Sequence, residues 1–231
     1  MIREIGTRGL MPLARRGFLA GAAAAGLLAL PGCAAYERYS LVEAVRHLLQ
    51  LSSERAFARL MEPDGFWDSG LARLELPAAL GSRGGVIQSI LTSAVFKDRL
   101  QHEFNKVAER GARRAAPLVA DTVRTIGIDN ARAILKGGPN AATSYLRSAM
   151  ASSLVEAMAP ELGDALRLSQ EPLVGQALGA LAGVDVSTLA RDFAADVDDA
   201  IWGEIGRQEG TIRADPRATN DPVLIGALGT L

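Results

Sequence analysis

The chain has 231 residues, of which 48% are hydrophobic and 22% charged, and its formal net charge is −1. It contains one cysteine and two histidines, His47 and His102, and neither histidine stands at a metal-ligand spacing from another ligand. This composition argues against a zinc site built from thiols and imidazoles. It also argues against nucleic-acid binding, which requires a basic surface.

The N-terminal segment has the features of an export signal. Residues 14–20 read Ala-Arg-Arg-Gly-Phe-Leu-Ala, and the adjacent Arg15 and Arg16 before an apolar segment are typical of a twin-arginine signal. The uncharged segment 18–30 has about 13 residues, which fits a signal-peptide core and is too short to cross a bilayer comfortably. We predict a twin-arginine signal peptide over residues 1–32, with translation starting at Met1 or at Met11.

The signal ends in Leu30-Pro31-Gly32-Cys33, which has the pattern of a lipobox. Cys33 is therefore the predicted lipid attachment site, and its acyl chains would anchor the protein stably. Ala34 follows, where an Asp commonly marks retention in the inner membrane, so the periplasmic face of the outer membrane is favoured. Two alternatives stay open, an ordinary signal cleaved near Ala35 and an uncleaved membrane anchor.

The remainder of the chain is large enough for one domain with a core. Residues 1–32 carry four of the 25 basic and one of the 26 acidic residues, which leaves 21 and 25, a net charge of about −4 over 199 residues. We predict a short tether over residues 33–39 and a single domain over residues 40–231. No cofactor motif occurs in it, and no cofactor is expected.

Helical periodicity runs through this domain, and no alternating strand pattern exceeds four residues. The fold class is therefore all-α, a single multi-helix globular domain. Residues 64–82, with several large apolar side chains, are a loop packed on the domain. The predicted helices cover residues 40–61, 85–95, 96–126, 130–136, 141–168, 172–182 and 188–213, followed by a short terminal helix.

Capping and breaking residues set the expected helix ends. Ser40, Asp129, Asn140 and either Asp185 or Ser187 are the predicted N-caps, and Gly137-Gly138 is a C-cap signal. Pro117 and Pro160 are expected to kink or divide their helices. The inward stripe of the helix from residue 96 comprises Phe96, Leu100, Phe104, Val107, Gly111 and Ala115.

Five segments carry a resemblance to a known family. They are Asp64-Gly65-Phe66 with Leu76-Pro77, then residues 104–109 (Phe-Asn-Lys-Val-Ala-Glu), 133–138 (Ala-Ile-Leu-Lys-Gly-Gly), 141–147 (Ala-Ala-Thr-Ser-Tyr-Leu-Arg) and 209–216 (Glu-Gly-Thr-Ile-Arg-Ala-Asp-Pro). In this order the chain resembles the exported bacterial family named domain of unknown function 4197, over about residues 40–216. The resemblance implies an all-helical protein with a signal peptide, often that of a lipoprotein, and implies no activity.

Two polar groupings near residue 140 have both a structural and a functional interpretation. Gly137-Gly138 before a helix could cradle a phosphate, but no strand precedes it and the P-loop lysine is missing, which favours a helix cap and a tight turn. Asn105, Thr143, Tyr145 and Arg147 are the predicted polar residues of a ligand pocket, if one exists, and the alternative is structural packing.

Charged residues of the last long helix are interpreted in the same way. Asp192, Asp196 and Asp199 recur at helical spacing, and a solvated acidic face is favoured over a cation site because the pattern of an EF-hand is absent. Glu209 and Arg213 form an i, i+4 pair, a weak surface contact if exposed and a brace for the C-terminal segment if buried. No Gly-x-Ser-x-Gly motif or other catalytic arrangement occurs.

Three functional hypotheses follow. The first is a non-enzymatic periplasmic binding module on a lipid anchor, with an apolar groove or cavity between helices for a small apolar ligand. The second is an envelope assembly or scaffold protein, with a contiguous apolar patch for a protein partner. The third, which is less favoured, is an enzyme with an unfamiliar helical site.

Overall fold

The computed structural model describes residues 31–77, 93–180 and 185–229, and the side chains among them from Leu41 onward. Contacts divide the chain into residues 1–37 and residues 38–231, and the description below concerns the second unit. The signal residues Arg15 and Arg16 lie outside the described residues, as does the side chain of Cys33. None of the described helices is both long and apolar enough to cross a lipid bilayer.

The described ranges fold into α-helices joined by turns, without a strand, which confirms the all-α prediction. A 3₁₀ turn at Pro216–Thr219 precedes the last helix. The helices are α1 Pro31–Leu60, α2 Ala94–Thr125, α3 Ala131–Lys136, α4 Ala141–Met150, α5 Ser153–Arg167, α6 Pro172–Ala180, α7 Val186–Ala214 and α8 Pro222–Gly229.

The core lies where α2, α5 and α7 pack against one another. Phe104 of α2 meets Phe193 of α7 edge to face, with ring centroids 5.3 Å apart. Gly111 lets the three helices approach closely, because a Cβ there would lie 3.1 Å from Leu162 Cδ2 and 3.4 Å from Val197 Cγ1. The residues predicted to face inward from α2 are buried accordingly, except Phe96, which is 48% exposed in the first turn.

α1 runs alongside the second half of α2 in the opposite direction. Arg46, in the middle of α1, donates to the Ile126 carbonyl just after the end of α2. Met61, just after α1, accepts from Arg113 in the middle of α2. The two contacts show that α1 and α2 are antiparallel.

Several helix ends differ from the predicted ones. α1 begins at Pro31, a residue type favoured in the first turn of a helix, so Ser40 is not its N-cap. Asn130 rather than Asp129 occupies the N-cap position of α3. Asn140 and Asp185 are the N-cap residues of α4 and α7, as predicted. The helix predicted over residues 85–95 lies almost entirely outside the described residues.

The long helix predicted over residues 141–168 divides at Ala151, not at Pro160. Ala151 has φ 46° and ψ −121°, a backbone conformation that disrupts the helix, whereas Pro160 lies inside α5. Pro117 likewise lies inside an unbroken α2. Pro117 and Pro160 are both exposed, and so are the residues four positions before them, Arg113 and Glu156 respectively. The carbonyls that lose their amide partner are therefore on the solvent side, where water satisfies them.

Candidate functional site

The antiparallel pair α1 and α2 encloses a groove of about 480 Å³. This volume falls within the range of small-molecule sites. From Arg46 to Met61 the groove follows fifteen residues of helix, roughly 22 Å at 1.5 Å per residue. The described residues that line it are Arg46, Gln50, Ser53, Glu54, Phe57, Ala58 and Met61 of α1 and its end, with Ala116, Pro117, Ala120, Val123 and Arg124 of α2.

The groove has a polar half and an apolar half. Arg46 and Gln50 lie at the end near the C-terminus of α2, where Arg124 also lines the wall. Phe57 and Met61 lie at the other end. A molecule that fills the groove along its length therefore meets hydrogen-bonding groups at one end and hydrocarbon at the other, which is the pattern that suits an amphiphile.

Ser53 lies between the two halves, and its hydroxyl has no hydrogen-bond partner although the residue is only 5% exposed. A buried hydroxyl without a partner costs free energy. A serine or threonine inside a helix either points to solvent or donates to the carbonyl four residues earlier. Among the described helix residues, those that donate in this way are Ser52, Thr122, Thr125, Ser148 and Thr211.

The neighbouring serine behaves differently. The Ser52 hydroxyl donates to the Leu48 carbonyl at 2.5 Å, whereas the Ser53 hydroxyl makes no such bond. Ser53 instead contributes to the groove wall. Its hydroxyl is therefore a buried polar group of the groove wall that the protein itself leaves unsatisfied.

Arg46 supplies a second unsatisfied donor at the polar end. Its Nη1 lies 3.4 Å from Glu43 Oε2 and its Nη2 donates to the Ile126 carbonyl at 3.3 Å, but its Nε is buried without a partner. A guanidinium N–H can only donate. The Ser53 hydroxyl can donate or accept, so an acceptor on the ligand can satisfy either group.

The first residue of the predicted pocket, Asn105, serves a different purpose. Its amide is fully buried on α2, accepts from the Leu74 amide at 2.9 Å and donates to the Leu74 carbonyl at 3.0 Å. Gln101 donates to the same carbonyl. These bonds fasten the end of the loop after α1, in which Phe66 and Leu74 are buried, as predicted for a packed loop.

Thr143 lies at the start of α4, where the carboxylate of Glu209 occupies the helix N-terminus. Glu209 is fully buried and accepts from the amides of Ala142 and Thr143, at 3.0 and 2.7 Å, and from the Thr143 hydroxyl at 2.6 Å. Arg213 donates to the same carboxylate at 2.7 Å and to the carbonyls of Ile134 and Leu135 that end α3.

This arrangement rules out the phosphate interpretation of Gly137-Gly138. The amides that would bind an anion at the start of α4 already bind Glu209, an anion of the protein itself. The two glycines form the turn between α3 and α4, with Gly137 at the C-cap of α3. The Glu209–Arg213 pair is buried, so the bracing interpretation of that pair is the one that holds.

A family profile described as "Protein of unknown function (DUF4197)" matches residues 35–229, which is most of the chain. The chain belongs to the DUF4197 family. No curated protein and no solved structure matches it. The segments around Glu209 and residues 141–147, which carry the resemblance in the sequence, meet in this DUF4197 domain at the junction of α3, α4 and α7.

The other two predicted pocket residues, Tyr145 and Arg147, make contacts between helices. The Tyr145 hydroxyl donates to the Gly127 carbonyl. Arg147 pairs with Asp198, at 3.2 Å, and with Asp199. None of the four residues predicted for a pocket lines the α1–α2 groove. Their polar groups are used at separate junctions of the DUF4197 domain.

The acidic face of α7 is partly neutralised by these contacts. Burial raises the pKa of Asp198, although the Trp202 indole, which donates at 2.8 Å, and Arg147 favour its ionised form. Burial and the neighbouring Asp199 and Asp192 raise the pKa of Asp196. Within the described residues no group of three or more His, Cys, Asp or Glu side chains is arranged to hold a metal ion.

Each histidine pairs with an aspartate from a distant segment. His102 Nε2 lies 2.7 Å from Asp64 Oδ1, and Glu109 accepts from the Asp64 amide at 2.9 Å, which holds the turn after α1 against α2. Burial raises the pKa of Glu109, with the Asp64 amide and Arg113 acting in the opposite direction. His47 Nδ1 lies 2.7 Å from Asp221 Oδ2. These groups connect segments of the fold.

The groove residues were not among the candidates from the sequence, although a signal for them exists. Positions 46, 50, 53, 57 and 61 recur at helical spacing beside the apolar stripe of α1, and positions 116, 120 and 123 do so on α2. This second stripe mixes charged, polar and apolar residues. A mixed stripe has the composition of a solvated helix face, so periodicity alone does not distinguish it.

Proposed function

We propose that this DUF4197 domain is a non-enzymatic binding module that holds a small amphipathic molecule in the groove between α1 and α2. The observation that carries the proposal is the unpartnered, buried hydroxyl of Ser53 where the polar and apolar halves of the groove meet. A site of this kind, with few polar groups in apolar walls, is typical of small-molecule recognition. The apolar groove between helices that the sequence led us to expect is the feature on which the proposal rests.

We place the domain on the periplasmic face of a membrane, the outer membrane in preference to the inner, tethered by acyl chains on Cys33. Arg15, Arg16 and the lipobox before Cys33 support this placement. A Cys33→Ser variant expressed with radiolabelled palmitate should carry no label, whereas the parent chain should be labelled and should partition with membranes. Equal labelling of the two chains, or none in either, would remove the anchor from the proposal.

The binding function is tested by filling the groove. Ala120 is exposed and lines the groove, so Ala120→Phe introduces a ring without disturbing the core. We expect the affinity for a dansyl-labelled fatty acid to fall at least about tenfold, the equivalent of roughly 1.4 kcal/mol. Fluorescence titration of the purified domain measures the affinity, and chemical unfolding verifies that the variant is folded.

Ala195→Phe is the matched control. Ala195 is an exposed alanine of α7 outside the groove, so this variant adds the same ring to the surface and should bind the probe as the parent does. If both variants bind the probe equally well, the probe is not in the groove and the proposal fails. A stable homo-oligomer that buries the groove would favour the scaffold alternative.

A further inference from the structure

The two unsatisfied donors of the groove are too far apart for one small head group. Ser53 follows Arg46 by seven residues, which places them roughly 10 Å apart along the helix axis. The Arg46 guanidinium is directed away from Ser53, because its Nη1 contacts Glu43, about one turn nearer the start of α1. A single carboxylate that reaches the buried Nε of Arg46 therefore leaves the Ser53 hydroxyl without a partner.

Ser53 also stands at the boundary between the two halves of the groove. Gln50 and Glu54 beside it are exposed and satisfy each other through a bond of 2.9 Å. The next groove residue toward the apolar end is the buried Phe57. An acceptor opposite Ser53 thus belongs to the point of the ligand where its polar head meets its hydrocarbon chain.

We propose that the groove takes a single-chain acyl ester with an extended polar head, the chemistry shared by monoacylglycerols and lysophospholipids. The ester carbonyl accepts from the Ser53 hydroxyl, an oxygen of the distal head accepts from Arg46 Nε, and the acyl chain lies along Phe57 and Met61. An ester carbonyl at the junction of head and chain supplies the inner acceptor that a free fatty acid lacks. This inference rests on the proposed function and assigns the class of ligand to the same groove.

The test compares a monoacylglycerol with the glycerol ether of the same chain length, which keeps the neutral head and lacks the ester carbonyl, both below the concentration at which they form micelles. We expect the purified domain to bind the ester about fivefold more tightly, the effect of one net hydrogen bond between neutral groups. Ser53→Ala should abolish this preference. Because the buried Ser53 hydroxyl has no partner within the protein and its burial costs free energy, the variant should unfold at a urea concentration no lower than that of the parent.

Ser52→Ala is the matched control on the adjacent residue. Ser52 is buried as well, but its hydroxyl donates to the Leu48 carbonyl, so its loss should lower stability and leave the preference for the ester unchanged. Equal affinity of the parent for the ester and the ether, or an unchanged preference in Ser53→Ala, would overturn the assignment of the ester. Chain-dependent binding that is sensitive to Ala120→Phe would in that case still support the proposed function. Absence of any such binding would overturn both.

A lysophospholipid and the corresponding monoacylglycerol distinguish the two sources of the ester. Arg46→Gln should weaken binding of either ester, and more strongly that of the lysophospholipid if its phosphate is the distal acceptor. Arg59→Gln, an exposed arginine of α1 outside the groove, should change neither affinity. Unchanged affinity of both esters for Arg46→Gln would contradict the placement of the head.

Discussion

At the scale of single residues, the carboxylate of Glu209 joins three helices. Glu209 lies on α7 and accepts hydrogen bonds from the free amides at the start of α4. It also pairs with Arg213, whose guanidinium donates to the last carbonyls of α3. The negative charge lies at the N-terminus of α4 and the positive charge at the C-terminus of α3, and each has the sign that the helix dipole favours. The pair is buried, so removing either partner leaves the other charge without compensation.

We therefore expect Glu209→Gln to lower the free energy of unfolding by about 3 kcal/mol, near the lower end of the range for a broken buried ion pair. The amide keeps the shape of the side chain but loses its charge, and its NH₂ group opposes the amides of α4. Urea unfolding followed by circular dichroism measures the change. Glu161→Gln, an exposed substitution on α5, should stay within about 0.5 kcal/mol of the parent, and a similar small effect for Glu209→Gln would contradict the bracing role.

At the scale of elements, the break between α4 and α5 depends on Ala151. Its positive φ and negative ψ are adopted readily by glycine and rarely by residues with a Cβ. The direction of the chain changes there, so that α4 and α5 can each pack against α7. The backbone strain of this residue is the cost of that packing.

Relief of this strain gives a stabilising substitution. Ala151→Gly should raise the free energy of unfolding by about 0.5–1 kcal/mol, because the strain of roughly 1–2 kcal/mol exceeds the added entropy of a glycine in the unfolded chain. Ala195→Gly, in the middle of α7, should lower it by about 1 kcal/mol. Thermal unfolding of both variants checks the signs, and a loss of stability in Ala151→Gly would show that the site is unstrained.

At the scale of the whole molecule, the C-terminal segment is held against the first described helix. His47 of α1 pairs with Asp221, which also accepts from the amides of Val223 and Leu224 at the start of α8. Burial acts to raise the pKa of Asp221, but these hydrogen bonds outweigh it and hold the pKa below its usual value. Residues 174 positions apart in the chain thus meet at one carboxylate.

The helical fold was predictable because most helices have apolar residues at a period near 3.6. The break at Ala151 was not, since alanine is the best helix former and carries no turn signal. Pro160 predicted the break at the wrong position. A proline is tolerated inside a helix when the carbonyl that loses its partner faces solvent, and the sequence does not show which side that carbonyl faces.

The residues of the groove were not predicted from the sequence. Its walls depend on how α1 and α2 lie against each other, which helical periodicity alone does not specify. The polar residues near 140 suggested a pocket because polar groups at a helix start resemble a binding site. Their partners lie in other helices and turns, and Glu209, the partner of Thr143, is more than sixty residues away in sequence.

The distance between Glu209 and the helix it caps has a kinetic consequence. α3 and α4 have six and ten residues, lengths at which isolated helices are marginal in water. Their ends are completed by side chains of α7 that follow 66 to 79 residues later, so neither is fully stabilised until α7 has docked. Closing so long a loop is slow relative to forming a local helix. The α3–α4 hairpin is therefore a late-folding part of the domain, complete only after the C-terminal third of the chain has been synthesised.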